Sequence, residues 1–449
     1  MPAPVAQAIA AARLPSGAVS FEILDADSGR PVAAHNADIP RSPASTIKTV
    51  STIAALELLG PAYTWHTKAL IRGVLKQGVL NGDLILQGGG DPYMTLERWW
   101  SFAHALRGRG LKTIHGDIVI DDTAFSVPRE DSAEFDGLPN RPYNVVPDAL
   151  MVNFQSIEFR VRPDVDAHRV EIIASPAPPN LVIENRVRFV AGRCAGAAGR
   201  VDFKVASANW DKVMFSGALS PHCAERHITR VMLQPAPYAF GTFIELWREL
   251  GGGFTGKLRV EAAPSDAEPL LDFDSLSLAE IVRLTNKYSS NLMARHLLLT
   301  MGRERFGGPG TPDKGVAAID EWAVARGLDT QALELGNGSG LSRSTHISAL
   351  QMAQALRVAW HSPFAPEFLA SLPLAGVDGT LRSRMKSAPA GTVRLKTGHL
   401  DGVSGVAGYV TAAPGKTFVL VSLINHVLAD EPASEAVHEA LVAWLLGNP

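Results

Sequence analysis

Apolar residues recur at helical spacing in Ile47, Val50, Ala54 and Leu58, which predicts one helix over 45–59, stopped by Gly60-Pro61. Upstream, Val19, Phe21 and Ile23 alternate with polar neighbours as a half-buried strand does. Asp27-Ser28-Gly29 then marks a turn, and a second short strand follows over Pro31–His35. Alternation returns near the other end of the chain, over 392–400, Val403–Thr411 and 417–424, with Asp401-Gly402 and Pro414-Gly415 as the turns between. An amphipathic helix over 434–446 closes the chain. These elements predict an antiparallel meander with a packing helix, and the N-terminal strands fit the same sheet. The first and last segments therefore belong to one domain.

Between them the texture changes. A helix is expected over 276–284, where Ser277 and Glu280 form a capping box. The polar stretch 285–291 then breaks the apolar pattern before Leu292, Met293, His296, Leu297 and Leu298 resume it. From about residue 67 to 256 short strands alternate with turns, as in Val79-Leu80-Asn81-Gly82-Asp83-Leu84-Ile85-Leu86, 116–121, 157–161 and 170–173. The segment 262–269, rich in Pro, Ala and acidic residues, reads as the return linker. The expected organisation is a discontinuous domain of residues 1–66 and 265–449 around an insertion of residues 67–264. The expected fold class is α+β, an antiparallel sheet with helices on its faces and a large, mostly β insertion.

Composition narrows the possible functions. Of 449 residues 46% are hydrophobic and 19% charged, and a net charge of −3 gives no electrostatic case for nucleic acid. No apolar run approaches the roughly 20 residues of a membrane span. The start, Met1-Pro2-Ala3-Pro4-Val5, lacks the basic and apolar regions of a signal peptide, so the protein is cytoplasmic or its signal has been removed. Cys194 and Cys223 have no C-x-x-C partners, and although His222 and His227 lie near Cys223, a second ligand pair is missing. No metal site or cofactor is expected. The two thiols are either a disulfide or unrelated and buried.

Three short motifs carry chemistry. Ser45 and Lys48 form S-x-x-K, Ser289 and Asn291 form S-x-N, and Lys396, Thr397 and Gly398 form K-T-G. The first two recur elsewhere, as Ser383 to Lys386 and as Ser207-Ala208-Asn209, so context must discriminate. Ser45 and Lys48 share a helix face at i and i+3, and a serine in the first turn meets the positive end of the helix dipole. The second S-x-x-K runs directly into Ser387-Ala388-Pro389-Ala390-Gly391, which cannot continue a helix. S-x-N falls in a polar break between helices, and K-T-G on a strand. Together they point to acyl transfer through an activated serine. Gly251-Gly252-Gly253-Phe254-Thr255-Gly256-Lys257 nearly makes a phosphate loop, but Leu258 replaces the metal-binding hydroxyl, and it reads as a turn after a helix over 243–250.

The ordered trio resembles the penicillin-binding proteins and serine β-lactamases. With the long insertion, the match is closer to type-4 penicillin-binding proteins, the D-alanyl-D-alanine carboxypeptidase/endopeptidases. Gly82-Asp83-Leu84, Gly88-Gly89-Gly90-Asp91-Pro92, Asn337-Gly338-Ser339-Gly340-Leu341-Ser342-Arg343 and Asp378-Gly379-Thr380-Leu381 are similar to further segments of that family. The resemblance implies an exported, periplasmic enzyme, its signal peptide absent from this chain, acting on peptidoglycan stem peptides and acylated by β-lactam antibiotics. An exported enzyme would be oxidised, which favours a Cys194–Cys223 disulfide.

By that resemblance Ser45 is the nucleophile, Lys48 its base, and Ser289 the relay to the leaving amine. Asn291 holds the acyl side, Lys396 and Thr397 take the terminal carboxylate, and the N–H groups of Ser45 and His399 form the oxyanion hole. Asp121 matches a position that faces the amine of a diaminopimelate side chain, or is simply a strand-end turn residue. Two positions depart from the family. Ser290 stands where Asp is common inside S-x-N, and His399 stands where a Ser or Thr commonly follows K-T-G. A hydroxyl there would help hold the substrate carboxylate, so His399 bears on carboxylate affinity and pH dependence. The alternatives are a β-lactamase or esterase of the same fold, and a catalytically silent peptidoglycan-binding protein.

Overall fold

The computed structural model describes residues 1–128, 132–331, 333–412, 415–429 and 431–447. It divides into two compact units, Met1–Thr64 with Leu276–Pro449, and Trp65–Ser275.

The discontinuous unit is built on a five-stranded antiparallel sheet. Its strands are β1 (Val19–Asp25), β2 (Pro31–His35), β3 (Val393–Leu400), β4 (Val403–Thr411) and β5 (Thr417–Asn425), in spatial order β3-β4-β5-β1-β2. β1 pairs with β5 in register from Val19 opposite Ile424 to Asp25 opposite Phe418. The sheet thus joins the two ends of the sequence. Gly402 takes φ +73° in the β3–β4 turn, which suits the Asp401-Gly402 hairpin. Pro414 of the other expected turn lies outside the described residues.

One face of the sheet packs its apolar side chains, among them Phe21, Ile23, Leu395, Val406 and Leu420, against Val5 and Ile9 of helix α1 (Ala3–Ala11) and Val437 and Leu441 of the closing helix, Glu431–Gly447. The site helices lie on the other side. Residues Ala44–Ile47 form a 3-10 turn and α2 covers Lys48–Leu59, so the expected helix over 45–59 has a tighter first turn. α3 (Leu278–Tyr288) begins with the Ser277–Glu280 capping box, and α4 spans Asn291–Phe306.

The sequence placed the end of α3 near residue 284, and the structure corrects this to Tyr288. The polar residues that seemed to break the pattern are buried with partners. Thr285 donates to Ile281 O, Asn286 donates to Thr52 Oγ1 and Ser371 Oγ, and Lys287 donates to Asp378. Buried polar groups with hydrogen bonds do not penalise a helix.

The unit Trp65–Ser275 is mostly β. A seven-stranded sheet contains the hairpin His66–Lys76 with Val79–Gln87, and Ile118–Asp121 runs parallel to the latter. Two three-stranded sheets follow, one of Ser156–Asp164, Arg169–Ser175 and Arg226–Val231, the other of Val182–Phe189, Gly199–Val205 and Lys212–Leu219. Helices Leu96–Gly108 and Pro235–Glu249 bring Trp99, Phe102, Phe243 and Trp247 into one aromatic stack. The strand Glu268–Asp274 returns to pair antiparallel with His66–Lys76. The expected boundary at residue 265 therefore falls too early, because the ladder keeps this strand with the inserted unit until Ser275.

Cys194 and Cys223 are bonded as a disulfide across 29 residues. On the chain-entropy estimate such a loop stabilises by about 3 to 4 kcal/mol. A Cys194→Ser/Cys223→Ser variant should lose about that much in denaturant unfolding. Thiol titration of the unfolded, unreduced chain should find no free thiol; two free thiols would count against the bond.

Candidate active site

Three backbone approaches assemble the site. Ala44 opens the 3-10 turn at φ +45°, an uncommon conformation for a residue with a side chain, and Ser45 follows it within that turn. Gly340, at φ +78°, sits against that turn, and a Cβ there would meet Ala44 O at 2.0 Å. From the sheet side, Gly398 lies so close that a Cβ would sit 2.6 Å from Pro43 O and 3.0 Å from Ser45 N. Its cross-strand partner is Gly405, whose added Cβ would stand 3.2 Å from Thr46 Cγ2. Paired glycines thus leave a bare patch of sheet on which the serine-bearing turn rests. Gly340 and Gly405 do this work without belonging to any of the three motifs.

Lys48 is fully buried, and its Nζ lies 2.8 Å from Ser45 Oγ and 2.8 Å from Asn291 Oδ1. It also donates to the carbonyl of Ser339. That carbonyl belongs to Asn337-Gly338-Ser339-Gly340-Leu341. Asn337 Oδ1 accepts from the N–H and hydroxyl of Ser339, and Asn337 Nδ2 donates to Leu341 O. The segment therefore presents Ser339 O in one orientation. None of these three partners is an acid. Burial pushes the Lys48 amine well below the usual lysine range, and the positive charge of Lys396 pushes it further.

Ser289 closes α3 with φ +57°, and Ser290 caps α4 by accepting from Met293 N–H. This one-residue link turns Ser289 and Asn291 to the same locality. Lys396, also buried, donates to Ser289 Oγ at 2.9 Å and to Thr397 O at 2.6 Å. Burial lowers its pKa to about 7. Thr397 Oγ1 lies 2.8 Å from Thr380 Oγ1. His399 follows on the same strand with an exposed side chain. The structure thus brings Ser45, Lys48, Ser289, Asn291, Lys396, Thr397 and Gly398 into one site, linked through the two lysine amines.

The motif copies do not share this setting. Ser383 to Lys386 lies in turns, as does Ser207-Ala208-Asn209 in the other unit. Asp121 also belongs to that unit, at the end of Ile118–Asp121. Its Oδ1 accepts from the N–H and hydroxyl of Thr123, and its Oδ2 from Gln87 Nε2 and Ala263 N–H. Burial disfavours its charge, but these bonds outweigh burial and hold the carboxyl below the usual range. These bonds tie the strand end to Gln87 of the neighbouring strand and to Ala263.

With this geometry in place, comparison with known proteins is specific. The family model described as "D-Ala-D-Ala carboxypeptidase 3 (S13) family" matches residues 1–447. A D-alanyl-D-alanine carboxypeptidase from Actinomadura sp. (strain R39) is 30% identical over 447 residues, covering 96% of this chain and 81% of the relative. D-alanyl-D-alanine carboxypeptidase DacB from Haemophilus influenzae is 26% identical over 438 residues, covering 96% and 90%. Among solved structures, penicillin binding protein 4 (dacB) from Haemophilus influenzae superposes with a TM-score of 0.83 at 24% identity, over 99% of this chain and 100% of that one. A serine held against a buried amine, on a fold shared from end to end, agrees with a match that spans the sequence: the chain belongs to the D-Ala-D-Ala carboxypeptidase 3 (S13) family of hydrolases.

Proposed function

We propose that Ser45 attacks the carbonyl of the penultimate D-alanine of peptidoglycan stem peptides and that Lys48 is the base that activates it. The observation that carries this reading is the set of partners of Lys48 Nζ. A neutral amine has two hydrogens and one lone pair. In the neutral form Asn291 Oδ1 and Ser339 O can take the two hydrogens, which turns the lone pair to the Ser45 hydroxyl 2.8 Å away. The depressed basicity of Lys48, caused by burial and by the charge of Lys396, favours that neutral form.

In the remaining steps the N–H groups of Ser45 and His399 stabilise the oxyanion. Ser289, hydrogen-bonded to Lys396, passes a proton to the leaving amine. Asn291 holds the acyl side, and Lys396 with Thr397 takes the terminal carboxylate. Water then releases the acyl-enzyme. Penicillins, which also carry a carboxylate beside a reactive carbonyl, acylate the same serine. The disulfide suits an oxidising compartment, and the periplasm is the proposed location. Among the described residues no helix is long and apolar enough to cross a membrane.

Replacing Ser45 by Ala should abolish covalent labelling by a fluorescent penicillin and release of D-alanine; labelling that persists would remove Ser45 from the reaction. Replacing Lys48 by Arg, which stays charged throughout, should slow labelling about 10²- to 10⁴-fold. The pH profile has two limbs of opposite sign. Below the lowered pKa of Lys48 the base is protonated and acylation is lost. Above about pH 7 Lys396 loses its charge, and capture of carboxylate ligands weakens. A kcat/KM that kept climbing from pH 7 to pH 10 would contradict the carboxylate-binding role of Lys396.

A further inference from the structure

His399 leaves this chain without a hydroxyl directly after K-T-G. The fold brings one in from another segment. Thr380, on the 3-10 turn Gly379–Leu381, places its Oγ1 2.8 Å from Thr397 Oγ1 and is itself only partly buried.

The turn that carries Thr380 is fixed from below. Lys287 Nζ reaches both carboxylate oxygens of Asp378, at 2.8 and 2.7 Å, and donates to Leu372 O at 2.7 Å. Asp378 Oδ1 also accepts the N–H of Leu374 at 2.9 Å. Gly379, at φ +57°, packs so tightly that a Cβ would meet Lys287 O at 2.7 Å. Lys287 precedes Ser289 by two residues. The turn is therefore anchored to the helix that supplies the S-x-N serine, while its threonine touches the K-T-G strand.

Two hydroxyl groups carry two protons between them. One proton makes the bond from Thr397 to Thr380, and the other remains for an acceptor outside the pair. In this direction the Thr397 hydroxyl is oriented on Thr380, and the proton left for an incoming anion is that of Thr380.

We propose that Thr380 is a positioning residue for the terminal carboxylate of the substrate, orienting the Thr397 hydroxyl and supplying the second hydroxyl that position 399 lacks. This rests on the reading in which Lys396 and Thr397 bind that carboxylate. The Lys287–Asp378 pair holds Thr380 in reach.

The test compares Thr380→Val, which removes the hydroxyl at similar volume, with Thr380→Ser, which keeps it. For a peptide ending in D-Ala-D-Ala, Thr380→Val should raise KM about 3- to 10-fold and leave kcat within about twofold, as expected for loss of one hydrogen bond in binding. Thr380→Ser should restore the wild-type KM. An unchanged KM in Thr380→Val overturns the proposal, as does Thr380→Ser failing as badly as Thr380→Val, since shape and not the hydroxyl would then matter. Thermal melting checks folding, and Thr380→Ala is read by the same criteria if Thr380→Val does not fold. If the wild-type chain takes penicillin but releases no D-alanine, the peptidase reading fails separately. The benzylpenicillin concentration for half-maximal labelling rate then replaces KM, with the same shift expected and no shift overturning the proposal.

Discussion

Burial of the Lys48 amine with no acid beside it among the described residues is the constraint on which the site depends. A buried ammonium without a counter-ion is costly, so the folded state favours the neutral amine. Neutral oxygens from three separate segments surround it: the Ser45 hydroxyl, the Asn291 amide and the Ser339 carbonyl. Each segment has its own reason to sit there. The first is a strained turn, the second a cap between helices, and the third a loop that its own asparagine folds back upon itself. Lys396 repeats the arrangement with Ser289 and the Thr397 carbonyl, again without an acid. Burial thereby lowers the basicity of two groups that would elsewhere be permanent cations.

Such burial requires backbones closer together than side chains allow. Gly398 and Gly405 face each other across the β3–β4 ladder, and Gly340 presses on the turn from the opposite side. Any Cβ at Gly340 or Gly398 would fall within about 3 Å of backbone atoms of the serine-bearing turn. The chemistry of the lysines and the packing of the glycines are thus one arrangement. Without the close approach, water would reach Lys48 and return it to ordinary basicity.

The sequence made part of this visible. Periodicity located the C-terminal meander, the N-terminal strands and the helix behind Ser45, because each has a regular apolar face. Motif order and context located the seven residues that meet in the site. What stayed hidden depended on distant partners. Thr285, Asn286 and Lys287 look like a helix break until Ile281, Thr52, Ser371 and Asp378 are known to receive them. Ser339 acts through its carbonyl, which no side-chain pattern reports. Gly405 looks like any glycine in a strand, and Glu268 and Pro269, which open the return strand, read as part of a linker because their ladder partners lie nearly two hundred residues away. Asn337 to Arg343 and Asp378 to Leu381 stand out in the sequence only as family-like segments, and their physical roles come from the contacts they make.

The pairing of β1 with β5 also imposes an order of events on the chain. Val19–Asp25 is synthesised long before its ladder partner Thr417–Asn425. Until then β1 exposes an unpaired edge, and the serine-bearing turn has no sheet to rest on. The unit Trp65–Ser275 is continuous and can condense while the rest is still being made. Until β5 pairs with β1, Ser45 and Lys48 are present in the chain, but the five-stranded sheet against which their turn is packed is incomplete.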